Sequence, residues 1–141
     1  NVTSFVVAQT TNTGAIRSFF RASTPPNGPR WYHRQNSAFQ FVAGPSPAVT
    51  ISTALNTNYN IQTFYHNIPT LSAWLNGQLL GNGTLNQTGG FTLVYIGSNS
   101  SAQYLIGNIA EVILYTKSLS TAERQLVENY LSVKYNISLT V

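Results

Sequence analysis

The chain predicts an all-β fold, a two-sheet antiparallel sandwich closed by one short C-terminal helix. Three observations carry that prediction. Short runs rich in Val, Ile, Phe and Tyr recur along residues 2–115, separated by Gly, Pro and Asn turns at the spacing of sandwich strands. The last of these runs, 106–115, has a strand's length and holds Ile109, Val112 and Ile113, whose β-branched side chains favour extended backbone. The segment after it repeats its apolar residues at helical spacing instead.

Taken in order, residues 2–8 read as a first strand, the polar stretch 11–14 as a turn, and 15–22 as a second strand returning in a hairpin. Pro25-Pro26-Asn27-Gly28-Pro29 is loop, because Pro cannot donate to a ladder and Gly permits positive φ. Strands follow at 31–34 and 38–43, ending at Gly44-Pro45-Ser46-Pro47, then at 49–52 and 60–65 with the polar link Asn56-Thr57-Asn58 between them. Residues 71–75 run into Asn76-Gly77, the dipeptide most favoured in a type I′ hairpin, and 78–80 return. Gly89-Gly90 precedes a strand at 91–96, and 106–115 is the last.

The helix is predicted over 121–134. Ser120 can cap it with its hydroxyl, and Glu123, three residues on, can reach back to the cap amide. Ala122, Leu126, Val127, Tyr130, Leu131 and Val133 fall along one broad stripe that should dock, with Arg124, Gln125 and Glu128 on the opposite side.

The same closing segment carries a family likeness. Gly107-Asn108-Ile109-Ala110-Glu111-Val112-Ile113-Leu114-Tyr115, with Leu119-Ser120, Ala122-Glu123-Arg124, Tyr130-Leu131 and Lys134-Tyr135 after it, resembles the end of laminin-G-like, concanavalin-A-like jelly-roll modules. Leu75-Asn76-Gly77 and Tyr95-Ile96-Gly97 are similar to two further signatures of that family, and the resemblance spans roughly residues 5–137. It implies a jelly-roll sandwich and a module that often recognises glycans or proteins. Such modules usually carry one or more strands before the segment matching Phe5. The resemblance therefore implies N-terminal strands supplied by a larger polypeptide or another chain, since an unpaired sheet edge must otherwise be covered.

One domain is expected over 1–141, because 43% hydrophobic residues with eight Tyr, seven Phe and two Trp can build one core despite only 7% charged residues. Asp is absent, and Asn, Ser and Thr supply the polar surface, which suits hydrogen bonding to neutral partners. The net charge is +4, with Arg17, Arg21, Arg30 and Arg34 gathered in the first quarter. Arg30-Trp31-Tyr32-His33-Arg34 interleaves bases with aromatics, as single-stranded nucleic-acid binders do. The same alternation describes a strand with one face in the core, and nucleic-acid binding calls for a denser basic stripe. No Cys is present, so there is neither a disulfide nor a thiol site, and no run is long and apolar enough to span a bilayer as a helix.

Catalysis fits poorly. Glycoside hydrolysis needs two carboxylates facing across the scissile bond, and only Glu111, Glu123 and Glu128 exist, two of them on the helix. Glu111 has no acidic neighbour two residues away on its strand face and reads as a structural carboxylate. His33 and His66 lack a nearby Asp, no Gly-x-Ser-x-Gly elbow is present, and two His without Cys do not make a zinc site. No catalytic residue, metal or cofactor is expected. Calcium, which some laminin-G-like modules hold through carboxylates, would here find mainly Asn and carbonyl oxygens.

Binding is the class that survives, with an aromatic face to stack on a sugar ring and amides to meet its hydroxyls. Trp74 alternates out of phase with Leu71, Ala73 and Leu75, so it points outward if those three point inward. Trp31 beside Tyr32 is the second candidate, and Asn76, Asn58, Tyr59 and Tyr104 are candidate loop contributors. Asn1, Asn82, Asn86, Asn99 and Asn136 each begin an N-glycosylation acceptor pattern. The expected function is a non-catalytic extracellular recognition or attachment module for a glycan or surface protein. The competing reading is a structural decoration or fibre module on a virion or cell surface, acting through assembly contacts.

Overall fold

The computed structural model describes residues 1–24, 30–45, 47–88, 90–99 and 102–140; the loop expected at residues 25–29 lies outside them. Ten strands and a helix run through the described residues: β1 (Val2–Thr10), β2 (Arg17–Ser23), β3 (Arg30–Gln35), β4 (Ala38–Ala43), β5 (Val49–Ala54), β6 (Asn60–Asn67), β7 (Thr70–Leu75), β8 (Gln78–Thr84), β9 (Leu93–Ile96), β10 (Gly107–Tyr115) and α1 (Thr121–Tyr135). They form two five-stranded sheets, the first in the order β10-β1-β6-β7-β8 and the second β5-β4-β3-β2-β9. Every pairing is antiparallel.

The first expected hairpin is not there. β1 lies between β10 and β6, whereas β2 lies between β3 and β9 in the other sheet. The polar stretch after β1 is a crossover whose backbone is satisfied sideways: Thr11 N–H donates to Ile106 O at 2.9 Å, and the Gln35 side-chain amide donates to the carbonyls of Asn12 and Ala15. The two strands thus face each other across the core, where Val6 and Ala8 meet Phe20 and Ala22 in one buried cluster with Trp31, Phe41 and Phe64. The Asn76-Gly77 turn joins β7 to β8 as expected, with φ of 50° and 80°, the two positive values a type I′ turn requires.

A second apolar cluster, Phe5, Val7, Ile61, Leu119 and Leu131, lies between the outer face of the first sheet and α1. The capping box forms: Ser120 Oγ accepts from Glu123 N–H at 3.3 Å, and Glu123 returns a carboxylate oxygen to Ser120 N–H at 2.8 Å.

The docked face of α1 is rotated from the one expected. Leu126, Tyr130 and Val133 are 69%, 48% and 85% exposed, Ala122 is exposed too, and Arg124 and Glu128 are buried beside Leu131. The sheet beneath offers partners that make this possible. Thr63 Oγ1 donates to Glu128 at 2.8 Å, Arg124 pairs with Glu128 within the helix, and the Arg124 guanidinium lies 4.2 Å over the Trp74 ring. A polar pair that neutralises itself, on a sheet face with a hydroxyl and an indole, replaces part of an apolar stripe.

Candidate ligand-binding face

Of the sandwich's two outer faces, α1 covers the first sheet's, and no helix among the described residues covers the second sheet's. On that second face the register aligns one row. Arg21 of β2 stands opposite Tyr32 of β3 and Tyr95 of β9, and Tyr32 stands opposite Val42 of β4. Directly opposed residues share a face, and the inward row next to them is Phe20, His33, Phe41 and Ile51. A bulge between Ser18 and Phe20 resets the phase, after which Ser18, Arg34 and Gln40 form the next outward row.

Cations and rings stack along these rows. The Arg21 guanidinium lies 5.2 Å from the Tyr32 ring centre and 5.5 Å from that of Tyr95, and Arg34 lies 5.9 Å from the same Tyr32 ring. Asn99 Oδ1 accepts from Arg21, and Gln40 Oε1 accepts from Arg34 Nε at 2.9 Å, so neutral side chains orient both guanidiniums. Burial lowers the Arg34 guanidinium's pKa, with the Tyr32 hydroxyl acting the other way. Arg17 Nη1 donates to Tyr104 O at 3.1 Å, and the Tyr104 ring is 58% exposed at the rim. Of the residues the sequence pointed to, Tyr104 is exposed here, whereas Tyr32 is buried at 7% exposure against the two guanidiniums and can hold them but not stack on a ligand; Arg21, Arg34 and Tyr95 were not named. The only available signal was the gathering of arginines before residue 35.

The other expected contributors stand elsewhere. Trp74 points out of the sheet, as its phase predicts, but lies beneath Arg124 with its ring edge-on to Tyr65 at 6.2 Å. Trp31 faces inward at 1% exposure, stacked on Phe64 at 3.7 Å, with Nε1 donating to Ser4 Oγ at 2.7 Å. Asn76 is committed to its hairpin: its amide oxygen accepts from Ile61 N–H at 2.7 Å and its NH2 donates to Asn60 at 2.9 Å. Asn58 N–H and Asn60 both donate to Asn56 Oδ1, which ties the 56–60 loop to itself and leaves Tyr59 40% exposed beside it.

A cavity of about 330 Å³ opens between the sheets near the start of β1, with Trp31, Phe91, Val94 and Leu114 as apolar walls and Arg30 and His66 as polar ones. His66 Nε2 lies 3.0 Å from Leu85 O, and burial lowers its pKa. Ser4 Oγ and His33 Nε2, 2.7 Å apart, are both fully buried with no carboxylate beside them, so this Ser–His pair has no access to a substrate. The carboxylates are each engaged: Glu123 with Lys117 at 2.8 Å, Glu128 with Arg124, and Glu111 with Lys134 at 3.0 Å. Among the described residues, no three His, Asp or Glu side chains converge on a metal site, and no helix is long and apolar enough to cross a membrane. Of the acceptor asparagines, Asn1, Asn82, Asn86 and Asn136 are exposed, while Asn99 is half-buried and bonded to Arg21 and Gln103.

No protein-family model and no curated protein matches the chain. Solved structures do. The CBM40 of the Ruminococcus gnavus IT-sialidase, bound to α2,3-sialyllactose, superposes with a TM-score of 0.69 at 15% identity, over 90% of this chain and 82% of that one. Domain 4 of a GH43 extracellular arabinanase from Geobacillus stearothermophilus, in complex with arabinotriose, gives 0.69 at 18% identity over 86% and 63%. Domains LG4-5 of the mouse laminin α1 chain give 0.64 at 10% identity over 84% and 36%. The likeness is one of fold: the chain is a jelly-roll sandwich like these structures.

Proposed function

We propose that the chain is a non-catalytic glycan-binding module whose ligand lies on the outer face of the second sheet. The observation that carries this reading is the set of Arg21, Arg34 and Tyr95 around the buried Tyr32 ring, on the sheet face that no helix among the described residues covers. Tyr95 and Tyr104 offer ring faces for sugar C–H groups, while the guanidiniums with Gln40 and Asn99 offer donors and acceptors for hydroxyls. Two of the similar structures hold an oligosaccharide, which supports the class of ligand. An extracellular or cell-surface setting goes with this reading, and Asn1, Asn82, Asn86 and Asn136 would then be open to glycosylation. Titration calorimetry against a panel of oligosaccharides tests it. Tyr95→Ala should weaken binding at least about tenfold with the melting curve preserved, as expected for a lost stacking contact. A panel without any binder would sink the proposal.

A second reading, assembly through a sheet edge, draws on one observation. The edge strand β9 leaves Leu93, Val94 and Ile96 at 40%, 52% and 59% exposure, the kind of edge that pairs with another chain. Sedimentation over a hundredfold concentration range tests this, and a constant monomer mass rejects it.

A further inference from the structure

Charge in this molecule is divided by place. The chain has three acidic and seven basic side chains, and each of the three carboxylates pairs with a basic residue from the C-terminal quarter, Lys117, Arg124 or Lys134. The four remaining cations, equal to the whole formal charge of +4, are Arg17, Arg21, Arg30 and Arg34, all on β2 and β3. No side-chain carboxylate is left anywhere in the chain to balance them.

The unbalanced charge is also concentrated. Arg21 and Arg34 share the Tyr32 ring, at 5.2 and 5.9 Å, and the side chains that accept from them among the described residues, Asn99 and Gln40, are neutral amides. Ring faces attract each guanidinium but cancel none of its charge, so two half-buried like charges remain around one ring. The Nε–H groups of Arg17 and Arg21 are buried without a hydrogen-bond partner among the described residues. Those two N–H groups are out of reach of an outside ligand, but Arg21 and Arg34 are only half-buried, and guanidiniums aligned by a strand ladder fit the paired oxygens of carboxylate or sulfate groups with charge-assisted hydrogen bonds.

From this we infer that the ligand of the second-sheet face is an anionic glycan, bearing carboxylate or sulfate groups, with Arg21 and Arg34 as its charge-reading residues. The inference rests on the glycan-binding reading and narrows it. It also replaces the neutral partner that the Asn-, Ser- and Thr-rich composition suggested. The two guanidiniums supply selectivity, and Tyr95 supplies the sequence-tolerant surface on which a sugar ring rests.

The test uses the full chain in biolayer interferometry at 0.15 M salt, where free surface charges are screened beyond about 8 Å. Probes are neutral dextran, carboxymethyl dextran, dextran sulfate and a single-stranded oligothymidine. Binding to one or both charged dextrans but not to neutral dextran is expected, and the stronger of the two identifies carboxylate or sulfate. Arg21→Gln with Arg34→Gln should weaken it at least about tenfold, the scale of a lost charge-assisted bond. Lys117→Gln with Lys134→Gln removes the same two charges from the far end and should change it less than about twofold. Equal loss in both double variants would mean attraction to net charge alone and overturn the inference. So would binding of neutral dextran at comparable strength, which would leave the glycan-binding reading standing. Binding of no dextran overturns the inference and leaves the glycan-binding reading to the oligosaccharide panel, and tighter binding to the oligothymidine reassigns the face to nucleic acid. Should the glutamine variant fail to fold by near-ultraviolet circular dichroism, Arg21→Lys with Arg34→Lys keeps the charge and removes the planar fork. Undiminished binding by that variant overturns the role given to the two residues.

Discussion

Lowering the pH from 7 to 4 should destabilise this fold through one core residue. His33 is fully buried, with Nε2 2.7 Å from Ser4 Oγ and the rings of Phe20, Phe41 and Phe64 set edge-on at 5.9, 5.2 and 6.0 Å. Ser4 Oγ already accepts from Trp31 Nε1, so its own hydrogen is free to donate to His33 Nε2, an arrangement that needs a neutral imidazole. Burial drives the His33 pKa from 6.5 down to about 3, with the nearby Gln62 side chain acting the other way. Between those values the unfolded chain binds a proton that the folded chain refuses. The stabilising contribution is therefore complete above the ordinary value and declines as pH falls toward the folded one. Over the interval from 7 to 4 the linkage amounts to about 3 kcal/mol. With a urea slope of about 1–3 kcal/mol per molar, the unfolding midpoint should fall by about 1–3 M. His33→Gln, which cannot take up a proton, should lose about 3 kcal/mol less over the same interval, whatever its stability at neutral pH. His66 shifts in the same direction and is present in both proteins, so the difference isolates His33. Parallel pH profiles for the two proteins would refute the reasoning, as would an NMR titration of folded His33 centred near its ordinary value.

Three further substitutions probe the packing. Glu128→Ala leaves Arg124 buried over Trp74 without its carboxylate and should cost about 3–5 kcal/mol in urea unfolding. Gly107→Ala would set a methyl group 2.0 Å from Gln9 O and 2.9 Å from Thr10 Cα, so β10 must separate from the end of β1. A loss of at least about 2 kcal/mol is expected there, with hydrogen-exchange protection falling first in residues 8–10 and 107–109. Trp31→Ala removes the stacked partner of Phe64 and should cost about 3–5 kcal/mol, visible as a melting point lowered by more than 5 °C.

The fold was largely legible because its local signals are short-range. Asn76-Gly77 dictates its turn through two positive φ values, and Ser120 with Glu123 dictates the start of α1 through hydrogen bonds spanning three residues. Strand partners are a different matter, since β1 and β2 are adjacent in sequence yet belong to different sheets. A polar connection of a few residues can close a hairpin or cross a sandwich; Gln35 and Ile106, which hold this one, are distant in sequence. The face of α1 failed for a related reason. Periodicity counts apolar residues, and Glu128 is buried because of Thr63 and Arg124, whose joint effect no hydrophobic count contains.

The candidate site shows the same limit from the side of chemistry. Aromatic residues drew attention as sugar platforms, but an indole serves a core as readily as a ligand, and both Trp residues are used in packing: Trp31 against Phe64 and Trp74 beneath Arg124. What marks the candidate face is the sum of two facts. The arginines before residue 35 were visible as a cluster, and the scarcity of acids was visible as a count. Only the tertiary structure joins them, by spending every carboxylate on the helical side of the sandwich and placing Arg21 and Arg34 on one ring of the opposite sheet. A chain with so few acids has no means of neutralising that face from within. An arginine pair held there by neutral amides can therefore meet an outside anion in a way that Arg124, neutralised by Glu128 on the buried face of α1, cannot.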